Sequence, residues 1–163
     1  MFADGEKMNK TNVMRILEQK NISYDAFFYE NSVTDGVTVA KTLGENPDCV
    51  FKTLVTVSAD GEHLVFVIPV ACTLDLKKAA TAAGVKSIRM IPQKELLPLT
   101  GYIHGGCSPV GMKKQLRTVF ASQALAQETI LVSAGKIGYQ VEVAPQALIA
   151  LVRADTAELT IES

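Results

Sequence analysis

Cysteine, histidine and surplus positive charge are all scarce in this chain, and each scarcity removes a class of function. Three cysteines, Cys49, Cys72 and Cys107, are an odd number with no Cys-x-x-Cys spacing, which indicates neither a disulfide framework nor a zinc site and leaves reduced thiols. The two histidines, His63 and His104, stand far apart without a third ligand beside either, so no metal is expected, and no cofactor. Net charge is −1, whereas a protein that grips nucleic acid unaided carries a marked basic excess, because phosphate neutralisation supplies most of the non-specific affinity. Any RNA contact here is therefore local, weak or assisted by a partner. Long apolar runs are also missing: Leu64 to Cys72 is the longest, contains Pro69, and falls far below the roughly 18 residues that span a bilayer. The start, Met1 to Lys7, has mixed charge and no apolar stretch, so the expectation is no secretory signal, no membrane contact and a cytoplasmic location. Met8 is an alternative start, with residues 1–7 a flexible lead.

What is present is a globular core. Hydrophobic residues make up 48% and charged residues 20% of 163, enough for one domain over residues 1–163 to bury a core without staples. Val13, Met14, Ile16 and Leu17 share one helical face, with Thr11 as N-cap. Tyr24 to Tyr29 reads as a strand, and Val37 to Leu43 as a short helix closed by Gly44. Phe51 to Ser58 and His63 to Val70 are β-branched runs around Ala59-Asp60-Gly61-Glu62, a hairpin signal. A helix is expected from Leu74 to Ala83, starting near Asp75 and ending at Gly84, then a strand at Ile88 to Ile91 and a helical turn after Pro92. Thr118 to Ala121, Thr129 to Ser133 and Gly138 to Val143 read as strands, and Pro145 opens a final helix. The hairpins argue for an α+β fold, a mixed, largely antiparallel sheet or open barrel surrounded by helices.

Two features invite chemistry. Gly101-Tyr-Ile-His-Gly-Gly-Cys-Ser-Pro-Val-Gly-Met-Lys-Lys114 holds four glycines, a proline and two lysines in 14 residues. Glycine permits turns through positive φ and close approach of a ligand to bare N–H groups, and Pro109 sets the exit direction, so the segment suits an anion, an ester carbonyl or a ribose. The second feature is Lys52, which interrupts the apolar run Val50 to Val55. It is either a solvated lysine at a strand edge or one facing a cleft, since an ammonium amid apolar residues is costly otherwise. Cys107 inside the loop raises a nucleophile hypothesis, for which His104 is the one nearby base.

The chain resembles the YbaK/EbsC type of free-standing aminoacyl-tRNA editing domains, whose best-known members are Cys-tRNA(Pro) deacylases. The markers are Asn46-Pro47 ahead of Val50-Phe51-Lys52-Thr53-Leu54, then Leu74-Asp75-Leu76-Lys77-Lys78, and Thr100-Gly101-Tyr102 leading to Gly105-Gly106-Cys107-Ser108-Pro109-Val110-Gly111. Lys113-Lys114 and Ser133-Ala134-Gly135-Lys136 complete them. The resemblance spans nearly the whole chain and implies a mixed-sheet barrel with helices around it. It implies hydrolysis of mischarged tRNA(Pro) bearing cysteine, with the substrate's own thiol attacking its ester and no protein nucleophile. Prolyl-tRNA synthetase is the implied partner. The same reaction on alanine or another small amino acid, and a non-catalytic module that binds tRNA or a synthetase, are the alternatives.

By the same resemblance, Lys52, Gly105 and Tyr29 are the catalytic group. Lys52 would bind ribose or phosphate oxygens or offset charge on the ester. Gly105 would begin a loop that offers backbone groups, and the Tyr29 hydroxyl would orient the substrate. Gly106, Cys107, Ser108, Pro109, Ser133 and Gln140 are implied substrate contacts, and Lys113, Lys114, Arg117 and Lys136 a basic surface for the acceptor stem. Nothing in the family supports a nucleophilic Cys107. Two positions depart from the family pattern: Gln140 stands where well-known members have Asp, which bears on selection of the amino group, and Asp35 replaces a loop aromatic before Gly36.

Overall fold

The computed structural model describes residues 10–30 and 35–161; the lead expected over residues 1–7 lies outside them. Helix α1 (Asn12–Gln19) begins where the Thr11 side chain accepts a hydrogen bond from the Met14 N–H, and it buries Val13, Met14 and Leu17. Strand β1 (Asp25–Phe28) follows, then α2 (Gly36–Leu43), capped by Asp35 at its start and by Gly44 in the left-handed conformation at its end. The hairpin is β2 (Phe51–Ser58) and β3 (His63–Pro69), in register from Phe51 opposite Pro69 to Val57 opposite His63. Helix α3 (Leu76–Ala83) runs from its Asp75 cap to Gly84. Short β4 (Ile88–Met90) and α4 (Leu96–Thr100) lead into the glycine-rich segment. The chain closes with β5 (Arg117–Ala121), β6 (Ile130–Ser133), β7 (Tyr139–Val143), α5 (Pro145–Val152) and β8 (Asp155–Ala157).

The strands form two sheets, an antiparallel one in the order β1-β7-β6 and a mixed one in the order β4-β2-β3-β5-β8. A parallel bridge between Val50 and Leu131 ties the start of β2 to β6, so the sheets meet at one corner as in an open barrel. The architecture is the expected α+β one. Two pairings, β3 with β5 and β5 with β8, are parallel and join strands distant in sequence. The main core fills the space between the sheets: Phe51, Val55, Val67 and Phe120 from one, Ile130, Val132, Val141 and Val143 from the other, closed by α1 and α5. A second cluster lies on the opposite face of the mixed sheet, where Leu64, Phe66, Ile68 and Val119 meet the alanines of α3. Each such large side chain, fully withdrawn from water, contributes roughly 1.5–3 kcal/mol before entropy is set against it. A small third cluster, Ala40, Val50, Val70 and Leu131, seats α2 over the corner where the sheets join.

Candidate functional site

The corner left open by this arrangement is where the site forms. Strand β4 pairs only with Thr56 to Ser58 of β2, so between that pairing and the Val50–Leu131 bridge to β6 the side of β2 away from β3 has no strand paired to it. The Val70 N–H donates to the Val50 carbonyl and the Ile91 N–H to the Val55 carbonyl. By the alternation of an antiparallel ladder, even-numbered backbone groups of β2 then point to β3 and those of Thr53 point to the open edge. A cavity of about 320 Å³ occupies that edge. Phe51, Lys52, Thr53 and Leu54 form one wall, Gln140 of β7 and Ser133 of β6 another, His104, Gly105 and Cys107 a third, and Asp35, Gly36 and Val39 of α2 a fourth, with Tyr29 after β1. Helix α2 reaches this position because Gly36 has no side chain: a Cβ there would lie 2.5 Å from the Val70 side chain.

The glycine-rich segment is held as a rigid piece by Tyr102. Its hydroxyl donates to the Val110 carbonyl, and the ring sits so close to Gly111 and Gly135 that added Cβ atoms would stand 2.8 Å from the hydroxyl oxygen and 3.1 Å from the ring. Burial raises the Tyr102 hydroxyl to a pKa of about 12, keeping it a donor. Gly106 packs on the backbone of Lys136 and Ile137, where a Cβ would be 3.1 Å from the Ile137 nitrogen.

Of the residues singled out in the sequence, Tyr29, Lys52, Gly105, Cys107, Ser133 and Gln140 share the cavity wall. Gly106, Ser108 and Pro109 do not line it. They are buried in the inner layer of the loop, Gly106 spends its N–H on the Ile103 carbonyl, and Ser108 turns its hydroxyl back to accept from the Val110 N–H. In the structure described here all three shape the loop behind the cavity wall. Of the basic set, Lys113, Lys114 and Lys136 are exposed; Lys113 donates to the Pro98 carbonyl, and the Lys136 ammonium lies 5.3 Å from the Tyr139 ring centroid. Arg117 is separate. It sits opposite Leu64, four residues along β3 from the partner of Lys52, and pairs with Glu62 of the hairpin at 3.7 Å.

Charges and polar atoms at the wall are unevenly satisfied. Lys52 is half-buried and makes no hydrogen bond or ion pair among the described residues. Asp35 holds its carboxylate below the usual range by accepting from the N–H and hydroxyl of Thr38, with a smaller contribution from the Lys52 charge. Cys107 is the reverse: burial pushes its thiol up to about 12, so it is not a thiolate at neutral pH and makes a poor nucleophile. Among the described residues, two buried side-chain atoms lack any partner, Thr53 Oγ1 and Gln140 Oε1, and both residues line this cavity. From the sequence Thr53 has no assigned role and His104 only that of a base beside Cys107; the position of Thr53 next to Lys52 is visible there, but not the missing strand that exposes it. No group of three or more His, Cys, Asp or Glu that could hold a metal occurs among the described residues. Nor is any described helix long and apolar enough to cross a membrane.

A half-enclosed cavity with an unpaired ammonium, a glycine-rich loop and unsatisfied polar atoms has the make-up of a binding site for a small polar group. The profile of the aminoacyl-tRNA editing domain matches residues 30–151. The chain belongs to that family. It is 44% identical over 161 residues, covering 98% of both chains, to an Enterococcus faecalis protein provisionally named Cys-tRNA(Pro)/Cys-tRNA(Cys) deacylase EbsC. A crystal structure described, also provisionally, as a trans-editing enzyme for prolyl-tRNA synthetase superposes with a TM-score of 0.81 at 25% identity, over 92% of this chain and 95% of that one. A hypothetical protein shares the fold at TM-score 0.84 and 21% identity, over 91% and 99% of the two chains.

Proposed function

We propose that this protein is a trans-editing deacylase that removes cysteine from mischarged tRNA(Pro). The need is physical: an apolar pocket separates side chains of similar size by only about 1–3 kcal/mol, so a synthetase that cannot reject cysteine requires a second site. The reaction uses the substrate's own thiol. Its sulfur attacks the ester carbonyl carbon, the bond from that carbon to the ribose oxygen breaks, and the thiol proton passes to that oxygen. Free tRNA and a cyclic cysteine thioester leave, and water then opens the thioester to cysteine. The protein's task is to hold the bent conformer, which converts orientation into rate. Lys52 offsets charge on the carbonyl or ribose oxygens, Gly105 and Cys107 offer backbone N–H groups, and Tyr29 orients the aminoacyl group.

The observation that carries this reading is the pairing of an uncommitted Lys52 with a loop whose one thiol is kept protonated, so that chemistry needing a nucleophile falls to the substrate. Lys113, Lys114 and Lys136 supply the local charge for the acceptor stem, and a prolyl-tRNA synthetase already holding the tRNA supplies the rest of the affinity. The test charges tRNA(Pro) with Cys, Ala and Ser and follows ester loss with and without the protein. Cys-tRNA should decay fastest and Ser-tRNA be largely spared. Fastest loss of Ala-tRNA would overturn the cysteine assignment, and no loss from any of the three would leave a binding module. Added synthetase should raise the apparent affinity at physiological salt.

A further inference from the structure

Positive charge is scarce overall, with a net charge of −1, yet it is unevenly spread. Residues 86–117 carry Lys86, Arg89, Lys94, Lys113, Lys114 and Arg117 against Glu95 alone, so the rest of the chain is acidic. Two of these cations belong to the hairpin end of the sheet: Arg117 pairs with Glu62, and Lys86 precedes Ser87, whose carbonyl accepts from the Ala59 N–H in the hairpin turn. The others follow one edge of the molecule toward the cavity. Arg89 stands opposite Val57 on β4, which by strand alternation puts it on the face of β2 that carries Val55, the face on which Leu96 and Leu99 pack. The Ile91 N–H bonds to the Val55 carbonyl, and Lys94 is at most roughly 17 Å of chain beyond Arg89. Helix α4 then carries the chain to the cavity wall at Leu96. Lys113 backs onto that helix, its N–H donating to the Thr100 carbonyl and its ammonium to the Pro98 carbonyl at 3.3 Å. Arg89, Lys94, Lys113 and Lys114 are all exposed, and none is in an ion pair among the described residues.

Apolar side chains are interleaved with this charge. Leu97 and Ile103 are each 51% exposed, and each is next in sequence to a residue of the cavity wall, Leu96 and His104. Cations that merely solvate a surface need no such neighbours. A double-stranded stem has no use for them either, because it shows a protein its phosphates and hydroxyls while its base faces are stacked inside. Unpaired nucleotides offer both parts, phosphates to Lys and Arg and base faces to the side chains that cover them. We propose that this flank, from β4 over α4 to the glycine-rich segment, is the track for the unpaired 3′ strand of the tRNA. Arg89 and Lys94 extend along its phosphates the charge that Lys113 and Lys114 supply, and Leu97 and Ile103 lie against its bases. This role rests on the deacylase reading and adds to it the side from which the aminoacyl end enters, past α4 and not over α2. It also reconciles binding with the lack of a basic excess, since the few unpaired cations are gathered where a short strand would lie.

The test uses two ligands that cannot be hydrolysed: cysteine joined through an amide to 3′-amino-3′-deoxyadenosine, alone and as the last nucleoside of a single-stranded tetranucleotide ending in CCA. They share the aminoacyl group, and only the second reaches the flank. Calorimetry on the full chain should show the tetranucleotide ligand binding roughly 10-fold or more tightly at low salt, with a salt slope steeper by about 0.7 for each phosphate held. Arg89→Gln and Lys94→Gln should each cut that gain about 3- to 10-fold and flatten the slope by about 0.7, with the nucleoside ligand unaffected. Leu97→Ser should cut the gain without changing the slope, which separates base from phosphate contact. Lys41→Gln, on the exposed side of α2, should do neither. All of these positions are exposed, and circular dichroism checks that each variant is folded. No gain from the added nucleotides, a gain that Arg89→Gln and Lys94→Gln both leave intact, or one that Lys41→Gln lowers as much would each overturn the track. Salt-sensitive, Arg89-dependent binding of the tetranucleotide ligand without hydrolysis of Cys-tRNA would leave the track standing and remove the deacylase reading. Hydrolysis without the gain would do the reverse.

Discussion

Two glycine-bearing connections, one beyond the last residue of β2 and one at the cavity beside its first half, do different things. The hairpin turn after Ser58 contains Gly61 at φ 88°, and a Cβ built there meets nothing within 4 Å. The segment from Gly101 to Lys114, at the cavity, also turns through positive φ at Gly105 and Gly111, but there the missing side chains are filled by neighbours, a tyrosine hydroxyl at Gly111 and backbone at Gly106. One glycine serves only the bend. The others let a loop be pressed against the rest of the molecule until it is rigid, which is what a site that orients a bent substrate requires. The two ends also differ in their cations. Arg117 at the hairpin end is committed to Glu62, while Lys52 at the cavity end has no partner among the described residues.

The sharpest way to break this contrast is to exchange the cations' fates. Lys52→Ala should lower deacylation kcat/KM by about 10²–10³-fold, the cost of losing one electrostatic stabiliser of the transition state, with a stability change below about 1 kcal/mol. Arg117→Ala should leave turnover within about twofold, since it removes an exposed ion pair worth about 0–1 kcal/mol. Paired kinetics and denaturant titrations check both. If Arg117→Ala slowed turnover as much as Lys52→Ala, the division between a working end and a structural end of the sheet would be wrong.

Next in size comes the glycine comparison itself. Gly111→Ala combines a disfavoured positive φ with a Cβ placed 2.8 Å from the Tyr102 hydroxyl, so it should cost about 2–4 kcal/mol and reduce activity as the loop shifts. Gly61→Ala meets only the backbone term, about 1 kcal/mol, and should leave activity untouched. Tyr102→Phe isolates the strut: loss of its hydrogen bond to the Val110 carbonyl should cost about 1 kcal/mol of stability and raise the KM for Cys-tRNA. Equal losses from the two glycine variants would mean that the segment is an ordinary turn.

These cases also mark what the sequence could convey. The hairpin, the caps at Thr11, Asp75, Gly44 and Gly84, and the final helix at Pro145 all depend on neighbours within a few residues, and all appear where expected. Strand β8 did not announce itself, because three residues with no apolar alternation become a strand only by lying parallel to β5. The cavity wall was legible where a residue type was out of place, as Lys52 is in an apolar run. It was opaque where position alone matters. Thr53 looks like any β-branched strand residue until β4 proves too short to cover it, and Ser108 looks like a loop contact until its hydroxyl turns back to Val110.

Cys107 gives the smallest and most diagnostic effect. Its thiol titrates near 12 in the folded protein because it is buried, against about 8.5 when the chain is unfolded. Between those values the unfolded state has shed its proton and the folded state has not, so folding stability falls as pH rises from about 8.5 toward 12, and below 8.5 the residue contributes no pH dependence. Cys107→Ala should remove that part of the alkaline slope while costing about 1 kcal/mol at neutral pH for the lost packing. Turnover should stay within about threefold, because the reacting sulfur belongs to the substrate. Denaturant titrations at pH 7 and 10 read the first effect and a deacylation assay the second. A folded but inactive Cys107→Ala protein would move the nucleophile from the substrate to the loop, and the rigid segment around Tyr102 would then have to be understood as a holder of that thiol.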